Sequence, residues 1–168
     1  MAIILDGKLI RDQILTELGP RLAALVSSGC RPQLAVILIG NNPASEVYVR
    51  NKIAACEKVG ILSQKITPPA SVSTEELLSI IDGLNKDPNV HGILVQLPLP
   101  QQVDAGLVLD SVVPEKDVDG FHPVNGGKLL AGAPGLRPCR CDPADTIPQV
   151  DSRPFYSPQS IFLKSNGK

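Results

Sequence analysis

Apolar positions along this chain change their period several times, and each change marks an element. Within residues 7–28, Ile10, Ile14, Leu18, Leu22 and Leu25 recur every three to four positions. That is the repeat of an amphipathic helix, here following a short initial strand at residues 2–5. Gly19-Pro20 is expected to kink or split the helix, because proline removes a backbone donor and crowds the preceding turn. QLAVILIG, residues 33–40, is apolar without alternation, as a strand is when both faces of a parallel sheet are covered. Asn42 as N-cap and Pro43 at the first helical position open a second helix, which Gly60 ends. Residues 61–67 read as a short strand and residues 73–86 as a helix opened by the capping box STEE. VHGILVQL, from Val90, reads as another buried strand. Residues 103–109 predict a short helix, 110–123 a loop, and 124–130 a further helical turn or two.

The order βαβαβαβ predicts an α/β fold: a three-layer domain with a mainly parallel sheet flanked by helices, followed by an irregular tail. Ligands of such sheets gather beyond the carboxyl ends of the strands. Gln96 and the start of the second helix both fall there. After about Ala133 the patterning stops. Six of the last 36 residues are Pro, and three of the five aromatic residues, Phe155, Tyr156 and Phe162, fall in the final 14 positions. Residues 1–132 are therefore expected to form one domain, and residues 133–168 an irregular, Pro-rich tail.

Composition narrows the function classes. A length of 168 residues suits one domain with a real core. Sixteen basic and 17 acidic side chains are interspersed, so no basic face is expected for nucleic acid and no polybasic anchor for a membrane. The apolar stretch at residues 2–5 is far shorter than a signal-peptide core or a membrane span, and the expected location is cytoplasmic. Cys30, Cys56, Cys139 and Cys141 lack zinc-type spacing and the density of a disulfide scaffold, so reduced thiols are the default. Cys56 reads as a small core residue.

Two polar clusters carry the candidate chemistry. Ser45, Tyr48 and Lys52 stand at i, i+3 and i+7 of the second helix, which puts a hydroxyl, a phenol and an amine on one side. In a partly desolvated cleft the phenol could orient the amine for proton transfer; the plain alternative is a solvated helix pair with an idle lysine. Gln96 leaves an apolar strand, where its amide could brace Lys52 or a substrate, or simply tie down the next loop. In KDVDGFHP, Asp117 and Asp119 flank a turn. They admit metal binding, recognition of an amino-imine edge, or an ordinary Asx-type turn. Too few acidic or His ligands accompany them for a metal site. His91 and His122 lack the nucleophile of a hydrolytic triad.

These segments, in this order and spacing, resemble the bifunctional methylenetetrahydrofolate dehydrogenase/methenyltetrahydrofolate cyclohydrolase (FolD) family. The matching pieces are LDGK, NPASEVYVRNKIAACEKVGI, GILVQLPLP, PEKDVDGFHPVNGGKL and GLRPC, over about residues 3–139. The resemblance implies that residues 1–132 are the folate-binding catalytic domain, with a tetrahydrofolate derivative as substrate. It also implies that Tyr48 contacts the folate, Lys52 carries the proton, Gln96 positions Lys52, and Asp119 recognises the pterin ring. Ser45 and Asp117 would stand behind them. In the family a following Rossmann domain binds NADP or NAD, and the enzyme is a homodimer.

The resemblance departs at Cys139. The family continues Cys-Thr-Pro into a helix and a GRSxxVGxP nucleotide loop, whereas this chain reads CRCDPADTIPQVDSRPFYSP. It contains no GxGxxG-like loop elsewhere. The expectation is a truncated or frame-shifted member that keeps the folate site, has lost the dehydrogenase, and retains weak or no cyclohydrolase. A non-catalytic folate-binding or subunit-interaction module, or an inactive remnant, are the alternatives.

Overall fold

The computed structural model describes residues 6–137. The expected first strand at residues 2–5, the Cys139 and Cys141 pair and most of the expected tail lie outside the described residues. What is described runs α1 (Gly7–Ser27), β1 (Gln33–Ile37), α2 (Pro43–Val59), β2 (Leu62–Ile66), α3 (Thr74–Lys86), β3 (Gly92–Val95), α4 (Ala105–Ser111) and α5 (Pro123–Leu130).

Local chemistry sets these boundaries. The Asp6 carboxylate accepts from the Lys8 and Leu9 amides and starts α1. Asn42 accepts from the Ala44 and Ser45 amides and starts α2, with Pro43 in the first turn. Gly60, at φ 88°, closes α2 in the left-handed region that a side chain would resist. The capping box forms in full: Glu76 N–H donates to the Ser73 hydroxyl and the Glu76 carboxylate accepts from Ser73 N–H. Pro20 lies inside α1, which continues through it as one helix rather than splitting. Leu18 and Leu22, on either side of the proline, are both buried in one apolar cluster, and that shared packing offsets the missing backbone bond.

The sheet is parallel, in the order β2-β1-β3. Val36 of β1 stands between Lys65 of β2 and Leu94 of β3. Alternate residues of the central strand feed two cores. Leu34, Val36 and Leu38 face α1 and α2, together with Leu94, Val49 and Ile61. Ala35, Ile37 and Ile39 face α3 and α4, together with Ile93, Val95, Leu77, Ile81 and Val108. This is the three-layer arrangement, and it explains why QLAVILIG lacks alternation: both faces of the strand are covered. Each fully buried Leu or Ile contributes about 1.5–3 kcal/mol relative to exposure. β2 is the exception, an edge strand exposed at Leu62, Gln64 and Lys65.

Candidate functional site

The parallel topology delivers the polar residues to the carboxyl edge of the sheet. Five residues separate the end of β1 from the start of α2, so the opening turns of α2 stand beyond that edge, and the helix runs back over the sheet. Val49 is buried and Ile53 packs on the same core, anchoring one side of α2. Tyr48 is 65% exposed on the other side, and Lys52 is partly exposed. Ser45 is buried at the helix start, its amide held by Asn42. Among the described residues no hydrogen bond joins Tyr48 to Lys52, so the helix brings phenol and amine to one side without coupling them.

Gln96 follows β3 directly, and its amide N–H donates to Ile37 O of the neighbouring strand at 2.9 Å. Its side chain Nε2 donates to Leu97 O at 2.8 Å, so in this structure it ties down the next residue rather than Lys52. Its Oε1 is buried and has no hydrogen-bond partner among the described residues. An unpaired buried acceptor costs about 1–3 kcal/mol. The Leu97-Pro98 peptide bond is cis, at the start of the loop beyond the strand.

The 114–122 loop reaches the same edge by a parallel β-bridge between Ile93 and Asp117. Ile93 N–H donates to Lys116 O at 2.7 Å. Past this bridge the chain turns, and Asp119 stands in that turn, two residues after Asp117. Asp117 is 6% exposed, and both its carboxylate oxygens are paired. Oδ1 accepts from Gly120 N–H at 3.0 Å, and Oδ2 accepts from His122 N–H at 2.8 Å and Asn125 Nδ2 at 2.9 Å. The Asp117 side chain thus organises a turn, through amides three and five residues further on. Gly120, at φ 69°, completes that turn.

Two residues that sequence reasoning passed over hold this loop in place. Asn125 of α5, 1% exposed, donates through Nδ2 to both Pro114 O and Asp117 Oδ2, each at 2.9 Å. Lys116 Nζ donates to Leu84 O, Asn85 O and Asp87 O at 3.0, 2.7 and 2.8 Å. It thereby caps the carboxyl end of α3, where a cation is favoured. Burial pushes its ammonium below the usual lysine range, and nearby Asp87 opposes that. Asn125 offers no signal in VNGG, and Lys116 looks like one surface charge among several.

The histidines serve structure. His91 Nδ1 accepts from Gln33 N–H at 3.3 Å, and its Nε2 lies 3.5 Å from Cys30 Sγ. His122 Nδ1 accepts from Val124 N–H and caps α5. Cys56 packs against the α1–α2 core. Its thiol is pushed up by burial, against the Ser63 hydroxyl and with help from Glu57. Among the described residues no three His, Cys, Asp or Glu side chains gather as a metal site, and no helix is long and apolar enough to cross a membrane. The opening amides of α2 and α3 are engaged by Asn42 and by Ser73.

This geometry has close relatives. The profile of the tetrahydrofolate dehydrogenase/cyclohydrolase catalytic domain matches residues 5–119. The chain belongs to that family. It is 59% identical over 139 residues to the bifunctional protein FolD of Solibacter usitatus, covering 83% of this chain and 45% of that protein. The crystal structure of the bifunctional FolD enzyme from Campylobacter jejuni superposes with a TM-score of 0.78 at 47% identity, over 80% of this chain and 48% of that one. A 5,10-methylenetetrahydrofolate dehydrogenase from the silkworm Bombyx mori gives a TM-score of 0.80 at 45% identity, over 83% and 48%. The chain thus spans about half the length of the curated relatives it matches.

Proposed function

We propose that this chain binds a tetrahydrofolate derivative at the carboxyl edge of its sheet and that Lys52 carries the proton in hydrolysis of the methenyl form. In this reading Tyr48 lies against the folate, Asp119 recognises the amino-imine edge of the pterin, and Ser45 and Asp117 support the helix start and the loop. The observation that carries it is the pairing of an exposed Tyr48 and Lys52 on α2 with Gln96, whose buried Oε1 lacks a partner. A donor reaching that oxygen, from Lys52 or from the ligand, relieves the cost of leaving it unpaired. General acid–base help from a positioned amine contributes on the order of 10²–10⁴-fold.

Hydride transfer is not assigned to these residues. A nicotinamide must be held against the reacting carbon, and the described helix starts are engaged by their own caps. The chain alone is therefore proposed to lack dehydrogenase activity and to hydrolyse slowly. The test is the fall of methenyltetrahydrofolate absorbance on adding purified protein without nicotinamide cofactor, beside Lys52→Met. Hydrolysis above the buffer rate that disappears in the variant supports the reading. A folded sample that binds folate but gives no hydrolysis reduces the chain to a binding module, and one that binds none overturns the proposal.

A further inference from the structure

The loop carrying Asp119 is held by a buried pair, Asp117 and Asn125. Asp117 bridges β3 through its backbone and collects three donors with its side chain: the turn amide of Gly120, the amide of His122 at the start of α5, and Nδ2 of Asn125. Asn125 is the third residue of α5, 1% exposed. Its amide nitrogen divides between Asp117 Oδ2 and Pro114 O, three residues earlier. The pair thus ties the beginning of the loop, its turn and the start of the following helix to one edge of the sheet. Asp119 lies between the anchored Asp117 and the anchored Gly120, so its backbone has little freedom to re-aim its carboxylate.

A buried asparagine in an eight-residue helix is expensive unless paired, and leucine would fill a similar volume without polar atoms. The amide is kept here together with the carboxylate it pairs with, and the two are buried as a unit. A carboxylate that must meet a planar amino-imine edge needs its direction held to within a few tenths of an ångström. We infer that Asn125 is a positioning residue for folate recognition: through Asp117 it sets the direction in which Asp119 meets the pterin. This inference rests on the reading of Asp119 given above and adds to it a residue in α5 that contacts no ligand.

A double-mutant cycle separates the two claims. Methenyltetrahydrofolate affinity of the full chain is measured for the parent, Asp119→Asn, Asn125→Leu and the double variant, with urea unfolding of each. The expected result is a loss of about tenfold for Asp119→Asn and about five- to tenfold for Asn125→Leu. Less than about twofold further loss is expected when Asn125→Leu is added to Asp119→Asn, the non-additivity of groups acting as a unit. A general loosening of the fold would give additive losses in both backgrounds, and that result overturns the inference. Unchanged affinity in Asn125→Leu with a weakened Asp119→Asn also overturns it while leaving the Asp119 reading in place. Unchanged affinity in Asp119→Asn removes that reading, and the inference with it. Where leucine at 125 does not fold, Asn125→Ser, which is smaller and cannot reach both Pro114 O and Asp117 Oδ2, is run through the same cycle and read by the same criteria.

Discussion

The outward side of α2 and the 114–125 segment hold their polar groups in opposite ways. Tyr48 is exposed, Lys52 partly so, and neither side chain forms a hydrogen bond among the described residues. Asp117 and Asn125 are buried, and their side chains make four hydrogen bonds that tie the loop, its turn and α5 together. A side chain that has spent its hydrogen bonds on the fold can aim a neighbour but has little left for a ligand. A side chain held by its helix alone keeps its donors for chemistry. The contrast separates groups that would act from groups that would position.

The comparison is broken most directly at Lys52. Whatever methenyl hydrolysis the chain supports should fall by about 10²–10⁴-fold in Lys52→Met, with unfolding stability changed by no more than about 0.5 kcal/mol. A large stability loss in urea would make Lys52 a structural residue and erase the distinction. Asp117→Ala should behave the other way. It leaves the His122 amide without its partner, removes one acceptor each from the Gly120 amide and Asn125 Nδ2, and should cost about 3 kcal/mol of stability, read as a lower urea midpoint at unchanged slope.

Lys116→Met extends the comparison to a site away from the cleft. It removes the cap from the Leu84, Asn85 and Asp87 carbonyls and should cost about 1–3 kcal/mol. Folate affinity should follow only as far as the 114–125 segment loosens. Ser73→Ala, which opens the capping box of α3, should cost about 1 kcal/mol and leave folate affinity unchanged.

The smallest effect concerns pH. The Cys56 thiol is raised in the folded state, chiefly by burial, so the folded chain holds that proton more tightly than the unfolded one. Its contribution is fully present below the ordinary thiol range and is lost as pH rises from that range through the raised folded value. Cys56→Ala should flatten the alkaline fall in thermal stability. An unchanged slope would mean that Cys56 ionises as it does in the unfolded chain.

Much of this molecule was legible in its residues. Asn42-Pro43 and Gly60 delimit α2, STEE forms the capping box it spells, and QLAVILIG is the doubly covered central strand, because caps and periodicity are local consequences of side-chain chemistry. The spacing of Ser45, Tyr48 and Lys52 put them on one side of a helix, and the segment motifs carried the family. Other features needed the assembled fold. Pro20 does not divide α1, because Leu18 and Leu22 share one apolar cluster beyond either side of it. Gln96 turns its side-chain amide to Leu97 O and buries its Oε1, an orientation its place at the end of an apolar strand does not specify. Asp117, Lys116 and Asn125 look alike as polar residues in a loop or short helix, yet their partners lie on other elements: Gly120 and α5, the end of α3, Pro114. A sequence states which groups can donate and accept, and local rules resolve partners within about one helical turn. Which distant carbonyl or carboxylate fills each remaining valence is decided only when packing brings the elements together.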